Sequence, residues 1–239
     1  MGNIRRSAGL VAGLTALILA APACANMNKS INVAAGNQVG GQFSVNGSIT
    51  VGAGAVIDGS LETVNGSIRV DENVSLRDAE TVNGTIRIAS GSSADDVSSV
   101  NGSIRLGDNV TLAGEIDVVN GKITVGSGSR IADGVANVNG EISITGADIG
   151  GNLETVNGDV SLLDGAVLRG DLIVDKPGGW GNRNKNSKPK IVIGMNSIVE
   201  GEIVLEREVE LFISDSAQVG GVSGEMSLDD AVRFSGATP

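Results

Sequence analysis

Three arginines share one slot of a recurring stretch: Arg69, Arg87 and Arg105 each sit between two aliphatic residues, 18 positions apart. A guanidinium stays charged and presents paired N–H donors that match a carboxylate or a phosphate. Stacked, the three would form a basic stripe for such anions. Turned toward carboxylates of the same molecule, such as Glu62 and Glu80, they would only neutralise its surface. A second basic group, Lys176, Arg183, Lys185, Lys188 and Lys190, lies in the run 175–190 with a single acid, Asp175, and the sole tryptophan, Trp180. That run is rich in Gly, Pro and Asn and cannot continue a strand. It reads either as a loop that meets an anionic glycan, lipid head group or protein partner through Trp180, or as an insertion without a partner.

Catalytic chemistry has few carriers. The chain has no histidine and one cysteine, Cys24, so the usual base, triad and thiolate arrangements have no residues to build them. Asp71, Glu72, Asp95 and Asp96 are candidate acids for glycosidic work, but they fall at turn positions with no aromatic residues beside them. The nonapeptide pattern of calcium-loaded solenoids is missing. No catalytic residue, cofactor-binding residue or metal ligand is expected. The formal net charge of −11 argues against wrapping nucleic acid.

These side chains are positioned by a repeat. Val-Asn-Gly opens at Val45, Val64, Val82, Val100, Val119, Val138 and Val156. A small or polar residue follows, then an aliphatic, a polar and a second aliphatic, as in Ser67-Ile68-Arg69-Val70. That alternation belongs to strands, and so short a fixed period marks an array in which no unit buries its own apolar face. Two more apolar segments fill each unit, one at mid-repeat (Val74 and Leu76; Val110 and Leu112) and one before the next Val (Leu61, Ala79, Val97, Ile116). Three strands per unit predict an all-β, single-stranded parallel β-helix with triangular coils of 18–19 residues, about nine to ten in all. Coils stacked at the inter-strand spacing would place like residues in columns. The first coil aligns Ile31, Val33, Val39, Phe43 and Val45 with Ile49, Val51, Val56, Leu61 and Val64.

In this arrangement Asn46, Asn65, Asn83, Asn101, Asn120, Asn139 and Asn157 form a ladder of side-chain amides. Asn-Gly also suits a sharp corner, since both residues tolerate positive φ. It is equally a hairpin signal, but the constant interval and the Glu-Thr-Val that precedes it favour stacked coils over an up-and-down meander.

Residues 1–25 read as a signal peptide: Arg5 and Arg6, an apolar run from Ala8 to Ala20, and Ala21-Pro22-Ala23 as cleavage site. Cys24 stands where a lipobox places its lipidated residue, giving an alternative to cleavage after Ala25. The expected organisation is therefore a signal peptide at 1–25 and a solenoid at 26–222 carrying the 175–190 insertion. A cap or tail follows at 223–239, where Ser227-Leu228-Asp229-Asp230 resembles a helix start. No transmembrane span is expected in the mature chain, and the location is the periplasm or the outer membrane surface.

The Thr-Val-Asn-Gly-(Ser/Thr/Asp)-Ile/Val units at 62–70, 80–88 and 154–162 resemble the adhesin domains of bacterial envelope proteins of the head-GIN type. The likeness covers residues 31–174, and 191–222 more loosely. It implies a β-solenoid with a structural or adhesive role toward an envelope component, glycan, lipid or protein. The coil length and the Gly-x-(Ile/Leu) turns are also similar to bactofilins, which implies a rod that joins end to end by self-association. Neither family implies a catalytic residue. A polysaccharide-acting enzyme is the remaining alternative.

Overall fold

The computed structural model describes residues 28–177 and 188–239. It is a parallel β-solenoid of about ten coils. Each coil contributes strands to three stacks. On the first face Ile31–Val33, Ile49–Val51, Ile68–Val70 and their successors form an eleven-stranded sheet that ends at Val232–Phe234. The second face holds short mid-repeat strands such as Ser93–Ala94, Thr111–Leu112 and Arg130–Ile131, and the third holds Ala79–Asn83, Val97–Asn101 and Ile116–Asn120. Longer strands, Val56–Asn65 and Ile198–Leu205, run through both and join them into one fifteen-stranded sheet.

Period-two alternation decides which side chains enter the rod. Ile68, Ile86, Ile104, Ile123 and Ile142 are fully buried and lie in consecutive register. Each such isoleucine contributes about 1.5–3 kcal/mol by leaving water. Leu112, Ile131 and Ile149 form the matching column of the second face, and Leu61, Ala79, Val97 and Ile116 that of the third. Inside the corner of the third face, Thr63, Thr81 and Ser99 turn hydroxyls inward and donate to the carbonyl oxygens of Gly47, Gly66 and Gly84 in the preceding coil. Asn137 fills the same slot: its Nδ2 donates to Gly121 O at 2.8 Å, while its buried Oδ1 has no partner among the described residues.

The glycine of each Asn-Gly has a different cause from the one its sequence suggests. None of the ladder asparagines and, of the glycines that follow them, only Gly140 has positive φ. A Cβ on Gly66, Gly84, Gly102, Gly121 or Gly158 would instead overlap the carbonyl oxygen of the equivalent glycine one coil earlier. Close stacking of backbone on backbone selects glycine there. Positive φ belongs to the mid-repeat turn, at Gly36, Gly54, Asn73, Gly91, Asn109 and Gly128, a column that only residues tolerant of the left-handed region fill.

Two alignments shift. In the first coil Val39 pairs with Ile57 and Phe43 with Glu62, each one position away from the alignment with Val56 and Leu61; Phe43 is moved by the register slip between Gly40 and Gln42, whereas Val39 keeps the offset that Ile31 has with Ile49. The valines of Val-Asn-Gly are not core: Val64, Val82, Val100, Val119 and Val138 alternate outward and form a half-buried stripe on the third face.

The insertion leaves the stack undisturbed. Val160 pairs with Ile191 across 31 residues of chain, against 18 to 20 between other partners of the first face, and the strand Lys190–Ile193 takes the ordinary place in that face. The solenoid also runs past residue 222. A 3₁₀ turn at Leu228–Asp230, where the Asp230 carboxylate accepts from Ser227 N–H and Oγ at 2.8 and 2.9 Å, leads to the last strand, Val232–Phe234.

Candidate binding faces

Arg69, Arg87 and Arg105 are register partners in three successive strands of the first face and point outward. They do not reach Glu62 or Glu80, which lie on the third face. Arg69 Nε lies 3.7 Å from Asp71, both exposed, and among the described residues no carboxylate lies within 4.0 Å of Arg87 or Arg105. Thr50 precedes the row and Thr124 follows it.

Two residues before Thr50, Arg69 and Arg87, at the entry to each strand, runs a second row, of hydroxyls. Ser48 Oγ accepts from the Ser67 N–H at 3.2 Å, and Ser67 Oγ from the Thr85 N–H at 3.4 Å. Each of these two oxygens thus accepts from the next coil, which leaves its hydroxyl hydrogen to donate elsewhere. The two rows line a shallow groove of about 480 Å³. In the following coil Lys122 takes the hydroxyl slot and pairs with Glu141 at 2.8 Å, so the unpaired basic stretch stops there.

The acids gather on the third face. Glu62, Glu80, Ser98, Asp117, Ala136 and Glu154 occupy one outward register, each beside an outward valine two positions on. Half-burial and the neighbouring charges of Glu62, Asp78 and Asp96 push the Glu80 carboxyl up to about 7. Asp117 is pushed up to about 7 by burial, then by the charge and hydrogen bond of Glu115 and by Asp96 and Glu154. Glu62, Glu154 and Asp175 are raised as well, chiefly by burial. Among the described residues no group of three or more His, Cys, Asp or Glu side chains is placed to hold a metal ion.

The asparagine corner is an unbroken chain of amide bonds. Asn65 Nδ2 donates to Asn46 Oδ1 at 2.8 Å, Asn83 to Asn65 at 2.9 Å, Asn101 to Asn83 at 3.1 Å, and so on through Asn120, Asn139 and Asn157. Asn46 donates in turn to Asn28, at 2.8 Å. Arg207 closes the far end, donating from Nη1 to Asn157 Oδ1 and to Val156 O. Neither Asn28 nor Arg207 belongs to the Val-Asn-Gly pattern, and no sequence signal marks them.

The described lysines of the insertion are engaged with the rod. Lys176 Nζ lies 3.3 Å from Glu225, Lys188 Nζ 2.8 Å from Glu208, and Lys190 Nζ 4.9 Å from the centre of the Phe212 ring. Trp180, Arg183 and Lys185 lie outside the described residues, as do residues 1–25, where a signal peptide is expected, and Cys24 among them. Among the described residues no helix is long and apolar enough to cross a membrane.

No protein-family model matches the chain, and neither does any curated protein or solved structure.

Proposed function

We propose that the mature chain is an exported, non-enzymatic rod of the bacterial cell envelope with a structural or adhesive role. One observation carries this reading. Outward positions stand in register from coil to coil, and on the first face three successive ones carry arginine. Rows of that kind meet an extended partner at many equivalent points, so modest contacts add along the rod. The basic and apolar segments within 1–25 support export, and Cys24 supports a lipid anchor. The likeness of the repeat units to head-GIN adhesin domains agrees with this role.

Binding of the purified mature chain to isolated envelope fractions tests the reading. Co-sedimentation with cell-wall or outer-membrane material is the expected result, and recovery of the chain in the cytoplasm with no envelope association would refute it. Intact mass of the protein taken from its own membranes separates a diacylated Cys24 from a chain starting at Asn26.

A second reading, a bactofilin-like rod that joins end to end, draws on the ends of the stack. Among the described residues the first face starts and finishes with strands paired on one side only, Ile31–Val33 and Val232–Phe234. Such edges carry unpaired backbone donors and acceptors that another copy can meet. Filaments that lengthen with concentration would support it, and a monomeric sedimentation profile at high concentration would remove it.

A further inference from the structure

We infer that the groove formed by Arg69, Arg87 and Arg105 with Ser48, Ser67 and Thr85 binds a linear acidic polysaccharide carrying one carboxylate on each sugar. The inference rests on the envelope-rod reading and names the ligand of one of its faces.

Like charges directly opposite one another in a sheet destabilise it. Three guanidiniums in consecutive register therefore work against the fold of the first face, which isoleucine and valine columns already hold. The chain does not relieve the repulsion with its own acids, although it has 28 of them. Only the 3.7 Å contact of Arg69 with Asp71 is made. Water and salt screen these exposed charges in part, and anions brought by a partner would complete the relief.

The lining states which anions. Guanidiniums offer forked N–H pairs that suit carboxylates and phosphates. The Ser48 and Ser67 oxygens accept from the backbone of the next coil, which leaves their hydrogens to donate, and Thr85 adds a third hydroxyl to the row. The groove thus presents donors in a line along the rod axis. Neighbouring arginines lie about 4.8 Å apart along that line and the outer two about 10 Å apart, by the strand spacing. An isolated phosphate cannot give each arginine an anion of its own. A chain of sugars with one carboxylate per unit advances by a similar step and gives each arginine its own anion.

The rest of the surface steers such a polymer to this groove. The acidic rows of the third face repel it, and the pairing of Lys122 with Glu141 ends the basic stretch on one side.

The test is calorimetric titration of the purified mature chain with polygalacturonate fragments of increasing length. Neutral dextran fragments and inorganic phosphate serve as comparison probes. Affinity should rise with length up to about three or four sugars and then level off, as the spacing of three arginines requires. The R69Q/R87Q/R105Q variant should lose roughly tenfold or more of that affinity. The R77Q/R130Q/R233Q variant, with the same charge change elsewhere, should keep it, and circular dichroism checks that both fold. Equal loss in the two variants overturns the groove, as does phosphate binding as tight as that of the longest fragment. Failure to bind polygalacturonate, with undiminished binding of the triple arginine variant to envelope fractions, overturns the groove and leaves the rod reading standing. Failure of the wild-type chain to bind either material ends both.

Discussion

Arg207 Nη1 donates to Asn157 Oδ1 across 3.1 Å from fifty positions further along the chain. It supplies the last acceptor of the asparagine ladder with a donor, and the same nitrogen reaches Val156 O at 3.2 Å. Every amide in the ladder donates toward the N-terminal end, so each bond polarises the next in the same sense.

The ladder should be most sensitive in its interior. Asn101→Ala breaks the bonds to both Asn83 and Asn120 and should cost about 1–2 kcal/mol, as two partly solvated hydrogen bonds would. Arg207→Ala, which frees only the end, should cost less than Asn101→Ala. Denaturant unfolding of the two variants and the wild type gives the order directly.

Gly102→Ala should destabilise by about 3 kcal/mol, because the new methyl overlaps the Gly84 carbonyl oxygen and the backbone must give way. At Gly54, where φ is +69° and nothing lies within 4 Å, alanine should cost about 1–2 kcal/mol from backbone strain alone, and asparagine less. A ranking other than Gly102→Ala, then Gly54→Ala, then Gly54→Asn would contradict the stacking account of the Asn-Gly corner.

Asn137→Thr should stabilise the rod. Thr63 and Thr81 fill the same inner slot and donate to a glycine carbonyl with nothing left over, whereas Asn137 buries an Oδ1 without a partner. Removing a buried, unpaired acceptor is worth about 1 kcal/mol or more. A threonine variant that melts lower than the wild type would show that the slot needs the larger side chain.

Stability should fall as pH rises from about 4 to about 7. Glu80 and Asp117 hold their protons up to about 7 in the fold, against 4.5 and 3.8 ordinarily. In that interval the native state carries more protons than the unfolded chain, so raising the pH favours unfolding, and the penalty is complete above about 7. Melting temperatures should therefore be higher at pH 5 than at pH 8. Glu80→Gln should flatten the dependence by gaining stability at pH 8 and little at pH 4. Asp148, held below its usual range first by its hydrogen bond to Arg169, acts in the opposite sense and only at lower pH.

The coil was legible because its cause is local: period-two alternation of aliphatics, repeated at 18 or 19 residues, admits few folds. The amide ladder follows from the same period. What escaped depends on relations between faces. Composition makes Asn-Gly a turn signal, yet the glycine answers to a carbonyl one coil away. Val100 reads as one more aliphatic of the core pattern, and only its place in the strand Val97–Asn101 turns it outward. Arg87 and Glu80 are seven positions apart in sequence and belong to different sheets, so closeness along the chain did not mean an ion pair. Arg207 reaches Asn157 through the stacking of a later coil, beyond any local pattern.

Because Val174 and Lys190 bracket extra chain while the coils on either side keep their register, the junction between them behaves as a socket. Segments of other length and composition can be grafted there without changing the pitch of the rod, which makes this the point where the lineage can acquire new specificities and where an engineer can mount a payload.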